Sequence, residues 1–244
     1  MNKFNFLLML GVTAILFNSC SEIVTSDTVN TDDIYQRYSV NYETDGSGTV
    51  KAQFLSGAVW DRMEEEKTGG STVDFGTSGA VTFNGSDMQR EEGTLDGVYY
   101  TGSFQAGTEK IEFTWTDKEG KIYTNSAGIY PIKIDEKNVS KTEDGGWIIK
   151  WEGAPIQGND KVVVQLKFKE DGKDHNISET ATEAGVNYVI VSGSAINSLT
   201  GKNIKVTAWR EEIIRLENAT KAEGTIKIHG DGGYFTSDLW ERIF

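Results

Sequence analysis

The 244-residue chain has one cysteine, two prolines and two histidines. A single thiol excludes an internal disulfide framework and any zinc site built from several cysteines. The histidines, His175 in DGKDHN and His229 in IHGDGG, come with neither His-Glu-x-x-His spacing nor a Gly-x-Ser-x-Gly elbow. The signatures of a zinc protease and of a nucleophile-elbow hydrolase are therefore absent, and both histidines read as turn residues between strands. Cationic side chains are also scarce, 24 Lys and Arg against 37 Asp and Glu, for a formal charge of −13. An acidic chain without a basic cluster repels polyanions, which argues against nucleic acid as a partner. Long apolar runs are missing as well. The longest, Phe6 to Phe17 (FLLMLGVTAILF), falls short of the about 20 residues that cross a bilayer as a helix.

That short run follows Met1-Asn2-Lys3, and together they have the form of an export signal, a positive start and then an apolar stretch. The one cysteine stands just beyond it, in LFNSCSE. Ser19-Cys20 resembles the processing site of bacterial lipoproteins, in which a small residue precedes a cysteine that is lipidated and becomes the mature N-terminus. Leu is usual three places before that cysteine, and here Phe17 occupies the position, with Leu16 one place earlier. The resemblance implies a signal peptide over 1–19 and acylation of Cys20. It also implies an outer-membrane location, with the periplasmic or the surface face left open. Several acyl chains on one residue anchor stably, where one chain does not. Cleavage after Ser21 is the alternative, and it would release a secreted protein without its cysteine.

Beyond residue 19 the formal charge is −14, because Lys3 is the only charge removed. Residues 20–33 are polar and rich in Ser, Thr, Asp and Asn, a composition that predicts a flexible tether.

From residue 34 onward apolar and polar residues alternate at period two, the mark of strands with one face buried. Val50, Ala52 and Phe54 share one face; so do Ile111, Phe113 and Trp115, and so do Val162, Val164, Leu166 and Phe168. Asn84-Gly85 marks a tight hairpin turn. Strands recur every 8–12 residues with frequent glycine, which predicts an all-β sandwich or barrel. The pattern restarts after Tyr130-Pro131, giving expected β-sandwich units at 34–130 and 131–244. WIIKWEG, KVVVQLKF and NIKVTAWRE resemble immunoglobulin or fibronectin type III-like modules in strand pattern, so the expected fold is two tandem immunoglobulin-like β-sandwiches. One larger sandwich or barrel is the alternative. Asp61–Glu66 and Arg210–Leu216 read as charged strand edges, with helical turns as the competing assignment.

Sequence-adjacent carboxylates such as Glu211-Glu212 point to opposite faces of a strand, so they do not form a catalytic pair by adjacency. Asp45, Asp171, Asp174 and Asp231 suggest calcium, but the EF-hand pattern is absent and Asp-Gly turns account for them, so no metal ligand is assigned. No cofactor is implied. Among six tryptophans, Trp115, Trp147 and Trp151 fall on apolar faces and are expected in the core. Trp209 has the opposite parity to Ile204 and Val206. Trp60 and Trp240 lie in less regular sequence and are the candidate contacts for a ligand.

The expected function is a lipid-anchored, non-enzymatic envelope or cell-surface protein that binds or organises a protein or glycan partner. The alternatives are an accessory glycan-binding lipoprotein of polysaccharide uptake, with an exposed aromatic platform, and an extracytoplasmic hydrolase, with converging acids or a Ser–His pair.

Overall fold

The computed structural model describes residues 22–76, 80–199 and 203–237. The signal segment, Cys20 and Trp240 lie outside the described residues. The described chain is all-β. Its strands, in order, are β1 Ile23–Thr25, β2 Ile34–Tyr42, β3 Gly48–Ser56, β4 Val59–Asp61, β5 Glu66–Thr68, β6 Ser71–Asp74, β7 Val81–Phe83, β8 Ser86–Asp87, β9 Gln89–Gly93 and β10 Gly97–Phe104. There follow β11 Lys110–Thr116, β12 Ile122–Gly128, β13 Ile132–Lys141, β14 Trp147–Gly153, β15 Lys161–Glu170, β16 Lys173–Ala181, β17 Tyr188–Val191, β18 Ile204–Arg215 and β19 Gly224–Ser237. One short helix, α1 Gly193–Asn197, sits between β17 and β18, capped by the Ser192 hydroxyl, which accepts from Ala195 N.

A long sheet runs β1-β6-β3-β2-β19-β18-β15-β16, with β10 and β9 added beside β3. Its β19–β2 and β1–β6 pairs are parallel, and its other pairs are antiparallel. Two smaller sheets pack against one face of it. The four-stranded sheet β12-β11-β7-β8 covers one half and the three-stranded sheet β13-β14-β17 the other. The alternation seen in the sequence supplies both interfaces. In the first, Tyr38 stacks on Phe113 with centroids 4.4 Å apart, and Phe54 meets Trp115 at 5.1 Å. In the second, Trp147, Ile149 and Trp151 face Val162, Val164, Leu166 and Val206. Trp115, Trp147 and Trp151 are thus in the core, as their parity predicts. Asn84 and Gly85 both take positive φ in the turn between β7 and β8, a conformation that Asn and Gly tolerate best.

Three parts of the chain differ from the sequence expectations. Residues 22–33, expected to be a flexible tether, are tied to the body. Glu22 O accepts from Thr72 N at 2.7 Å, β1 pairs with β6, and Val24 and Val29 pack on the first core. Thr31 is buried, and Asp32 O accepts from Ala222 N. A polar segment is ordered here by backbone pairing and two valines, which composition does not reveal.

The packing also does not follow one cut in the sequence. Ile204, Val206 and Ala208 of β18 belong to the second core, whereas Ile226 and Ile228 of β19 are buried in the first, with Ile214 packed against it. At about 3.4 Å per residue, strands of 12 and 14 residues reach roughly 40 Å or more, far enough to serve both. Residues 213–230, expected within the 131–244 unit, therefore pack with residues 34–130.

The histidines, finally, are in strands and not in turns. His175 lies in β16 and His229 in β19. The glycine run around His229 serves a register shift, in which Thr207 opposite Tyr234 gives way to Trp209 opposite Asp231. Arg210–Leu216 is strand through Arg215, and Asp61–Glu66 forms the turn of the β4–β5 ribbon.

Candidate binding surface

Midway along β18, where the two cores meet, Arg210 faces inward and is 1% exposed. An arginine there is tolerable only if its donors are satisfied. Its Nη1 donates to Tyr130 O at 2.8 Å, and its Nη2 donates to Ala154 O at 2.6 Å and Pro155 O at 2.8 Å. Its Nε lies 3.2 Å from Asp160 Oδ2, an ion pair out of line for a hydrogen bond, and neither atom has a hydrogen-bond partner. Asp160 also accepts from Gln157 N at 2.6 Å. Burial raises the Asp160 pKa, while Arg210 and the Gln157 N–H pull the other way. Tyr42 joins the group, its hydroxyl donating to Tyr130 O at 3.1 Å, and burial pushes its phenol well above the usual value. This network fixes the junction through backbone carbonyls, and it is enclosed, so it holds the surface above it and does not itself face a ligand.

That surface is the outer face of the long sheet, away from both cores. The parity opposite to Ile204, Val206 and Arg210 presents Lys205, Thr207, Trp209, Glu211 and Ile213. Neighbouring β19 presents Lys227, His229, Asp231 and, beyond the register shift, Tyr234. Trp209 is half-buried, beside Val163 on β15, and its indole Nε1 donates to Glu211 Oε1. The Trp209 and His229 rings lie 6.5 Å apart. Tyr234 is 63% exposed, with Lys205 Nζ 4.0 Å from its ring centroid. Together they form an aromatic row on the sheet, set among charged groups.

Next to this row the β4–β5 ribbon folds over the sheet and walls off a groove of about 510 Å³, lined by Glu65, Lys161, Glu211, Glu212, Lys227 and His229. Lys161 Nζ pairs with Glu211 Oε2 at 3.0 Å, and His229 Nδ1 is 3.9 Å from Glu211 Oε1. Burial opposes ionisation of Glu211, but hydrogen bonds from Lys161 and Trp209 outweigh it and lower its pKa. Glu212 is shifted the other way, raised by burial and by the Asp160 carboxylate against the pull of Arg210. These neighbours border the groove from opposite faces of β18 and answer to different partners, so adjacency has not made them a pair aimed at one point. The groove is a polar recess in which the carboxylates of Glu65, Glu211 and Glu212 meet the amines of Lys161 and Lys227.

Of the sequence candidates, Trp60 is on β4, 40% exposed, with the Arg215 guanidinium 5.1 Å from its ring centroid. It belongs to the ribbon and lies outside the Trp209 row. His175 stacks on Phe168 at 5.5 Å. Asp45 and Asp231 accept hydrogen bonds from the backbone N–H of Ser47 and Gly233 two residues on, the chemistry of Asp turns. Among the described residues, no three His, Cys, Asp or Glu side chains gather as metal ligands. The sequence left the face of Trp209 open, and it did not single out His229 or Tyr234. Its parity, opposite to that of Ile204 and Val206, was the signal for Trp209. For Tyr234 no signal existed, because the register shift changes the parity of β19.

No protein-family model matches the chain, and no curated protein is similar to it.

Proposed function

We propose that the chain is an exported, lipid-anchored, non-enzymatic β-sandwich protein that binds an extracytoplasmic partner through the outer face of its long sheet. The observation that carries this reading is the solvent-facing row of Trp209, His229 and Tyr234, with Glu211 and Lys161 beside it, on strands pinned beneath by Arg210. Aromatic groups held on rigid strands lose little entropy on binding, and they suit recognition. The anchoring half of the reading comes from LFNSC, in which the chain's one cysteine follows the signal-like run.

A glycan is the partner that one feature favours. Ring faces interleaved with carboxylate and amine groups on an open sheet face offer stacking to the apolar face of a sugar and hydrogen bonds to its hydroxyls. The test is affinity electrophoresis and calorimetry of the purified protein against a panel of soluble polysaccharides, with Trp209→Ala and Tyr234→Ala variants. Binding that falls at least tenfold in both variants supports the glycan reading. Binding of a polysaccharide at full strength by both variants removes this face as the site. Recovery of one specific protein partner, lost in the same variants and without any polysaccharide binding, keeps the face and replaces the ligand. The N-terminal mass of the mature protein, compared with Cys20→Ala, tests the anchor separately.

A further inference from the structure

The described chain starts against the sheet. Glu22 is hydrogen-bonded to Thr72 through its carbonyl, and its carboxylate accepts from Ser71 Oγ at 3.1 Å. Cys20 stands two residues before Glu22, and two residues span at most about 7 Å. Whatever is attached at Cys20 is therefore held close to this end of the long sheet.

The same end carries the β4–β5 ribbon. β3 finishes at Ser56 opposite Ser71, and residues 57–70 leave the sheet there to form it. On the ribbon Val59 is 69% exposed, Trp60 40% and Met63 93%. Ile23, at the start of β1, is exposed too, as is Ile122, which follows the loop whose Lys118 Nζ donates to Val29 O at 2.8 Å. Ten large apolar side chains are exposed among the described residues; Val59, Trp60 and Met63 share the ribbon, and Ile23 begins the strand that pairs beside its base. Clustered exposed apolar groups mark a contact surface, where scattered ones do not.

Two of the four carboxylates on the ribbon are paired with cations. The Glu64 carboxylate is paired with Lys227 at 2.9 Å, and that of Glu66 with Arg37 at 3.8 Å. Arg62 is exposed between Trp60 and Met63, and Arg215 lies over the Trp60 ring. Tryptophan with flanking arginine and aliphatic groups is the residue set that settles at a bilayer's headgroup boundary, where the ring is part apolar and the guanidinium meets phosphate. With Cys20 acylated, a protein partner would have to share this end with a membrane only two residues from Glu22.

We propose that the β4–β5 ribbon is a second membrane contact, which seats Val59, Trp60 and Met63 in the headgroup–acyl boundary of the leaflet that holds the acylated Cys20. The proposal rests on that acylation. It replaces a body swinging on a tether with one held in a fixed orientation, its ribbon end down.

The test uses full-length protein made in an acylating host and reconstituted into vesicles of phosphatidylethanolamine and phosphatidylglycerol, with or without brominated acyl chains. The wild type is expected to float with the vesicles and to show tryptophan emission quenched by the brominated lipid. Trp60→Phe is expected to float equally and to lose that quenching. Met63→Asp, at a side chain too exposed to matter for folding, is expected to weaken it. Flotation with quenching identical in the wild type and both variants overturns the proposal while the anchor stands. So does unquenched emission together with a crosslink from residue 60 to a protein in intact cells, which makes the ribbon a protein-docking element. A protein that does not float and carries no acyl mass overturns the anchor, and the proposal with it.

Discussion

Arg210→Met is the most informative single change in this molecule. The substitution keeps the apolar stem and removes five N–H donors from a site that is 1% exposed. It strips a hydrogen bond from the carbonyls of Tyr130, Ala154 and Pro155 and leaves the Asp160 carboxylate, 2% exposed, without its counter-charge. Breaking one side of a buried ion pair costs about 3–5 kcal/mol. Folded domains have about 5–15 kcal/mol in total, so this is a large share. With a urea dependence of about 3 kcal/mol/M, the unfolding midpoint followed by tryptophan fluorescence should fall by about 1–1.7 M. The variant should also respond differently to pH. An Asp160 without Arg210 has a folded pKa raised further above the unfolded value, so the folded state takes up more protons than the unfolded one. Its stability should therefore increase as pH falls from 7 to 5, relative to the wild type. Adding Asp160→Asn to Arg210→Met should restore at least about 1 kcal/mol and abolish that pH response. A midpoint shift below about 0.3 M, or strict additivity of the two changes, would refute the view that this pair ties the two cores together.

Three further expectations concern single side chains. Gly230→Ala places a Cβ 2.0 Å from Cζ of the buried Tyr42 ring, which its own hydrogen bond holds in place, so a loss of about 1–3 kcal/mol should appear in thermal melts. Asp74 is bound by Arg90 through Nε at 3.0 Å and Nη2 at 2.8 Å, and this pairing, ahead of the Gly76 N–H, lowers its pKa against the cost of burial. A depressed folded pKa gives stability that is present above the unfolded value of about 3.9 and is lost as pH falls through the folded one. Asp74→Asn should thus cost about 1–2 kcal/mol at pH 7, and the gap to the wild type should close below pH 4 in urea titrations. Trp115 Nε1 is buried without a hydrogen-bond partner, whereas Trp151 Nε1 donates to Ala154 O at 3.0 Å. Trp115→Phe should accordingly cost about 1 kcal/mol less than Trp151→Phe, measured side by side, since only the second change gives up a hydrogen bond.

The candidate surface was only partly legible beforehand. Trp60 stood out because its surroundings lack alternation; it is 40% exposed but lies outside the Trp209 row. The groove and the Trp209 row were not visible, for a definable reason. Glu211 and His229 are 18 positions apart, and they meet only because β18 and β19 pair in one register. Glu65 reaches the same groove from a ribbon some 150 residues earlier. IHGDGG looks like a turn because glycine usually signals one. Here Gly230 makes room for the Tyr42 ring, and Gly233, at φ +76°, sits in the register shift.

The sequence by itself determined what depends on near neighbours: strands rather than helices, the buried parity of Trp115, Trp147 and Trp151, the Asn84-Gly85 turn and the unmatched position of Cys20. Tertiary structure alone decided the rest. It bound Glu22–Asp33 to the body, sent β18 and β19 through both cores, buried Arg210 against Asp160 and brought the ribbon over the sheet. The physical reason is that side-chain alternation is set by the geometry of a single strand. Which strands pair, in which register, and which charge finds its counter-charge are set by contacts between residues far apart in the chain, and no local pattern encodes them.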